Sequence, residues 1–177
     1  MSSKQLPDKK TIIPKQTYAL LFSEIVQYCH QKSESSEQFS QQLADMGYPI
    51  GCTILEVLEQ SSSTGYKRQS KAVPMLLQLK DKIWQYLFGY SAADLEQQID
   101  DANCYMLYDN TPMITTYISY PQEIRKGFTC CSFVAGIIQG ILCSSGFKCK
   151  VTAIPNPEEN TYPDRVVFLI KFEEDYK

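Results

Sequence analysis

Histidine is almost missing from this chain: His30 is the single one among 177 residues. One imidazole cannot complete a metal centre without help, and the seven cysteines (Cys29, Cys52, Cys104, Cys130, Cys131, Cys143 and Cys149) include no C-x-x-C spacing to supply it. Cys29 and His30 adjoin on a predicted helix and point about 100° apart, so a nucleophilic Cys/His pair would need another thiol to approach His30 in space. Phosphate-cradling loops of the types G-x-x-x-x-G-K and G-x-G-x-x-G are also lacking. So is any long basic run. Lys9-Lys10 and Lys67-Arg68 are isolated pairs, and a net charge of −3 argues against a nucleic-acid partner and against unaided membrane anchoring. Apolar runs fall well short of the ~20 residues of a spanning helix. The chain starts Met1-Ser2-Ser3-Lys4 with no apolar signal core, and its cysteines are odd in number, so a reducing cytoplasmic setting is expected.

What remains is a globular composition, 44% hydrophobic, 12% aromatic and 21% charged, enough for one domain with a substantial core. Residues 1–16 are polar, carry Pro7 and Pro14, and read as a flexible arm; residues 17–177 read as one domain. Tyr18, Leu21, Phe22, Ile25, Val26 and Cys29 follow the spacing of a helix burying one face. A second helix carries Phe39, Leu43 and Met46, with Gly47 as its expected stop. Ile50, Ile54, Leu55 and Leu58 open another helical pattern that ends in the Ser61–Gly65 loop. A further helix is expected over Lys71–Leu87, with Val73, Leu76, Leu77, Ile83, Trp84 and Leu87 inside, Pro74 in its first turn and Gly89 closing it. Ala92–Ala102 reads as a short polar helix.

The pattern then changes to β-branched and aromatic residues. Cys104–Tyr108 and Met113–Tyr120 read as strands around a turn at Asn110-Thr111-Pro112. A compact helix through Phe133, Val134, Ile137, Ile138, Ile141 and Leu142 ends near Gly146. Lys150–Ile154 and Val166–Phe172 are the last strands, joined by an exposed Pro155–Pro163 loop. Such segregation predicts an α+β domain, helices covering one face of an antiparallel sheet.

No catalytic or cofactor-binding set emerges. Cys130-Cys131 reads as two packed thiols, Gly136 and Gly140 as the site of a close helix approach, and Asp100-Asp101 and Glu173-Glu174-Asp175 as solvated charge. A scaffold fits this best. A lipid carrier with an apolar channel, and a hydrolase using Cys131 or Ser132, are the alternatives.

Several segments together carry a resemblance. Residues 19–29 (ALLFSEIVQYC), Leu87-Phe88-Gly89, Leu95-Glu96-Gln97, Asp100-Asp101-Ala102, Thr116–Ser119 with Pro121, Cys131-Ser132-Phe133 with Ala135–Ile138, and Ile170–Glu174 resemble, in order, core subunits of the TRAPP vesicle-tethering complex. The resemblance covers roughly residues 17–175. It implies two long N-terminal helices and further helices on a sheet of about four antiparallel strands. One subunit of that family carries a palmitoylated cysteine just before its third helix; the corresponding stretch here, Thr64–Gln69, has no cysteine, and Cys52 is a poor substitute on a helix start expected to be packed. The resemblance further implies a non-catalytic subunit that pairs with this acyl-pocket subunit and with a longin-like adaptor, and supports nucleotide exchange on a Rab GTPase during endoplasmic-reticulum-to-Golgi transport. Its site would be cytoplasmic, peripheral at cis-Golgi and endoplasmic reticulum membranes, with Rab contact only indirect unless the Lys9–Lys15 arm reaches it. Phe22, Ile25, Tyr28, Phe39, Leu43 and Met46 are the expected interface residues.

Overall fold

Alternation in the C-terminal third builds the sheet. In Cys149–Pro155 (β3) every second side chain, at Cys149, Val151 and Ala153, is buried. It pairs antiparallel with Val166–Phe172 (β4), whose other neighbour is Cys104–Asp109 (β2). Asp94–Gln97 (β1) completes a four-stranded antiparallel sheet in the order β1-β2-β4-β3. The computed structural model describes residues 15–60, 66–118, 128–158, 161–174 and 176. Of the expected arm at residues 1–16, residues 1–14 lie outside the described residues, whereas Lys15 and Gln16 open the first helix; the 61–65 loop, Ser119 and Tyr120 at the end of a predicted strand, Pro121, Glu159-Asn160 and Asp175 also lie outside them.

The helices are α1 (Lys15–Gln31), α2 (Ser36–Gln60), α3 (Ala72–Gln78), α4 (Trp84–Phe88) and α5 (Ser132–Ser144). A π-helical turn, Leu79–Ile83, joins α3 to α4. The helices pack on one face of the sheet, as expected: Trp84 meets Phe168 of β4 edge-on, ring centroids 5.5 Å apart. On the opposite face the Arg165 guanidinium lies over the Tyr108 ring, and the Tyr108 hydroxyl donates to Glu96.

Helix α5 lies between α2 and the sheet, with all of its residues but Gln139, Cys143 and Ser144 buried. Its seam with α2 is made by four glycines. A methyl group added at Gly47 or Gly51 would meet the carbonyl oxygen of Phe133 or Ile137, and one at Gly136 or Gly140 would meet that of Ala44 or Tyr48, each closer than 3.0 Å. The two backbones therefore touch where side chains normally hold helices 8–10 Å apart at their axes.

This seam corrects the expected stop at Gly47. That residue is helical and buried inside one 25-residue helix, which runs through Pro49 as well. The reason for Gly47 is a neighbour some ninety positions away. Cys52 is likewise mid-helix rather than at a helix start, half-buried, with its thiol directed at the Gly140 carbonyl.

Other expectations also change. Leu21 (62%), Val73 (47%) and Leu77 (48%) are exposed; Leu76, Ile83 and Trp84 are buried as expected, and Met75 and Leu79 join them in the core because helical phase from Ala72 places them inward. Ala92–Ala102 is not a helix. Its middle is the edge strand β1, held by backbone pairing to β2, and the polarity that suggested a helix reflects exposure at the sheet edge. Met113–Thr115 is a 3₁₀ turn rather than a strand, because the Pro112 carbonyl accepts from both the Thr115 N–H and its hydroxyl, winding the chain away from β2. Gly89 closes α4 at φ +85°, as predicted, and Gly146 follows α5 at φ +96°.

Candidate docking surface

Three of the six residues expected at an interface belong to the core instead. Phe22 (2% exposed), Phe39 (6%) and Leu43 (0%) are sealed in the chain's own interior. Phe22 packs on Phe133, centroids 5.3 Å apart, and Phe39 stacks on Phe128 at 4.5 Å. None can meet a partner without opening the fold. Ile25 is half-buried, while Tyr28 and Met46 are open to solvent.

Some of the exposed apolar residues lie in two stripes along α1 and α2. On α1 they are Leu20, Leu21 and Tyr28; on α2 they are Met46, Ile50 and Val57. The stripes run side by side in opposite chain directions. Cys29 near the end of α1 touches Met46 in mid-α2, thiol to thioether 3.4 Å, and Leu21 and Ile25 share a cleft with Ile50 and Ile54. Ile50 and Val57 were missed as surface groups. Their spacing from Met46 was readable, but it merged with the buried series Leu55 and Leu58 into one apolar helix.

The cleft between the stripes is lined almost wholly by apolar surface. About 320 Å³ in volume, it is floored by Phe133, Val134 and Ile137 of α5 and walled by Leu87 and Phe88 of α4, with Met113 and Ile114 at one end. Tyr18 closes part of it, and burial pushes its hydroxyl pKa up to about 12. No cysteine lines it.

The two nucleophiles considered for a hydrolase are not poised for attack. Cys130 and Cys131 are fully buried and held as thiols, both pushed up to about 12 by burial. The Ser132 hydroxyl donates to the Thr129 carbonyl, so neither expected hydrolase nucleophile is poised. His30 packs edge-to-face with Phe39, and the Cys29 thiol contacts Met46. Among the described residues no group of three or more His, Cys, Asp or Glu is placed to hold a metal ion, and no helix is long and apolar enough to cross a membrane. Asp101, of the expected solvated acids, pairs with Lys171 at 3.0 Å, which holds its carboxyl below the usual range.

The family model for the transport protein particle (TRAPP) component matches residues 18–173. The chain is a TRAPP component. This TRAPP component is 37% identical to trafficking protein particle complex subunit 5 of Homo sapiens over 165 residues, 93% of this chain and 83% of the human one. It is 38% identical to subunit 5 of Dictyostelium discoideum over 159 residues, 88% and 83% of the two chains. Its fold matches the solved trafficking protein particle complex subunit 3 of Naegleria fowleri, a protein covalently bound to palmitic acid, with a TM-score of 0.77 over 92% of this chain and 97% of that one. At 14% identity that likeness establishes the α+β fold of the TRAPP component and nothing finer.

Proposed function

We propose that this TRAPP component is a non-catalytic scaffold that docks through the α1 and α2 stripes onto the acyl-pocket subunit of its complex. A longin-like adaptor contacts it elsewhere, and the assembly supports Rab nucleotide exchange in endoplasmic-reticulum-to-Golgi transport at peripheral membrane sites. The observation that carries this reading is the pair of exposed stripes. Leu20, Leu21 and Tyr28 on α1 and Met46, Ile50 and Val57 on the neighbouring α2 leave large apolar side chains in water, Leu21 and Ile50 lining one cleft between the helices, and grouped exposed apolar residues mark interaction sites. A permanent interface buries about 2,000 Å² or more and is apolar at its centre. Membership of the TRAPP family supports subunit partners in general.

Co-expression of the chain with the acyl-pocket subunit, followed by size measurement, tests it. A stable one-to-one pair is expected, lost on Leu21→Asp with Ile50→Asp. Circular dichroism on the double variant separates a lost surface from a lost fold. A pair that survives both substitutions moves the interface elsewhere.

A second reading is an acyl-chain carrier, favoured by the apolar cleft of about 320 Å³ beneath Leu21 and Ile50. Stoichiometric fatty acid in denatured, purified protein would support it; protein free of lipid would leave the cleft to a partner's side chains.

A further inference from the structure

The last turn of α5 and the first residue of β3 bring two cysteines together. Cys143 is half-buried, and its S–H is directed at the carbonyl oxygen of Cys149, 3.8 Å away. The Cys149 side chain is also a close enough neighbour of Cys143 for the two thiols to interact, and Tyr48 of α2 neighbours Cys143 as well. The connection between them is the short segment Ser144–Lys148, which reverses at Gly146 with φ +96°. Cys52 also approaches Tyr48, but its thiol turns onto the Gly140 carbonyl, leaving Cys143 and Cys149 as the couple.

Their exposures differ in a useful way. Cys143 is partly exposed, whereas Cys149 is 4% exposed and burial raises its pKa well above the ordinary thiol value. A thiol kept protonated and covered does not meet an oxidant first; a half-exposed one does. The second thiol then has a partner already in place.

We propose that Cys143 and Cys149 are a hydroperoxide-responsive pair that closes to an intramolecular disulfide across the α5–β3 turn. Hydrogen peroxide transfers one oxygen to the Cys143 sulfur, giving a sulfenic acid and releasing water. The Cys149 sulfur attacks the Cys143 sulfur, the S–O bond breaks, and the departing oxygen takes the Cys149 proton and leaves as a second water. Two thiols are oxidised, one peroxide is reduced, and a thiol reductant reverses the step. The bond ties the end of the central helix to the sheet edge. This inference stands apart from the docking reading and does not depend on it.

The test uses the full chain, alone or in its co-purified complex, treated with hydrogen peroxide, alkylated, cut with trypsin and analysed without reduction. Cleavage after Lys126, Lys148 and Lys150 places the two cysteines on separate peptides. The expected product is the 127–148 peptide joined to the Cys149-Lys150 dipeptide, at the summed mass less two hydrogen atoms, with fragmentation placing the bond on Cys143. Dithiothreitol removes it. In Cys149→Ser the cross-link is lost and Cys143 becomes labelled by dimedone, a sulfenic-acid reagent; in Cys52→Ser the cross-link persists. Peroxide that leaves wild-type Cys143 a free thiol, drives it to sulfinic acid, or joins it to Cys52, Cys130 or Cys131 overturns the proposal, and this wild-type mapping decides even if a variant fails to fold.

Discussion

Gly140 on α5 faces the carbonyl oxygen of Tyr48 on α2 with no room between them for a methyl group. The contact is backbone on both sides, so it cannot yield as a flexible side chain would. Replacing Gly140 by alanine raises helix propensity by about 1 kcal/mol. Overpacking a tight core typically costs 1–3 kcal/mol, and more where backbone must shift. The clash with a carbonyl sets the cost at the upper end of that range, and Gly140→Ala and Gly136→Ala are each expected to lower stability by a net ~1–2 kcal/mol in urea titration. Unchanged midpoints would mean that the two helices can separate freely.

Gly89 and Gly146 are glycines for a different reason. A methyl group at either would meet nothing within 4 Å, but both backbones sit at positive φ, +85° and +96°. Alanine at either position is expected to destabilise by roughly 1–2 kcal/mol, the left-handed penalty for an L side chain. Asparagine, which tolerates that conformation better, should recover part of the loss. A thermal-shift series of Gly89→Ala against Gly89→Asn reads the difference.

Asp109 sits at the end of β2, buried to 3% exposure, accepting from the Tyr90 hydroxyl at 2.9 Å and the Thr111 N–H at 3.2 Å. Burial raises its carboxyl pKa above the ordinary 3.8, and the two hydrogen bonds only partly oppose this. A carboxyl raised on folding keeps its proton in the folded chain at pH values where the unfolded chain has released it. Its contribution to stability therefore falls as pH rises from near 3.8 through the folded pKa, and stays lowered above it. Asp109→Asn removes that decline while keeping an oxygen for Tyr90. Unfolding midpoints followed from pH 4 to pH 7 should drop less in the variant than in the wild type; a steeper drop in the variant contradicts the argument.

Phe39 and Tyr28 separate core from surface. Phe39→Ala removes a ring stacked on Phe128 and should cost about 3–5 kcal/mol, a large share of the roughly 5–15 kcal/mol that holds a typical domain folded. Tyr28 is half exposed, and alanine there should change the stability of the isolated chain by no more than about 0.5 kcal/mol. If the stripes dock a partner, Tyr28→Ala weakens the pair without moving the melting temperature of the unpaired chain.

Much of this architecture was readable from residue patterns, for reasons that also explain the failures. Helix α5 and the β3–β4 hairpin have strong periods of their own: Val151 and Ala153 alternate with exposed neighbours, and Phe133 to Leu142 is apolar almost throughout. The strand β1 could not be seen. Asp94-Leu95-Glu96-Gln97 is composed of residues at ease in helices, and only pairing with Tyr105–Tyr108 makes it extended. The unbroken α2 was hidden because Gly47 looks like punctuation until Phe133 is placed against it.

The exposed stripes were half legible. Leu20, Leu21, Phe22, Ile25, Val26, Tyr28 and Cys29 wrap so much of α1 that phase alone does not say which flank turns inward. Packing against Phe133 draws Phe22 in and leaves Leu21, its immediate neighbour, outside.

Helix α5 has almost no outside, since α2 covers one flank and the sheet the other. Its amide protons, Ile138 among them, have no local route to water: fraying of α1 or swinging of a loop leaves them shut in, so deuterium enters them only when the entire domain comes apart. The slowest exchange rate in the protein should sit there, and that rate reports the free energy of the whole fold.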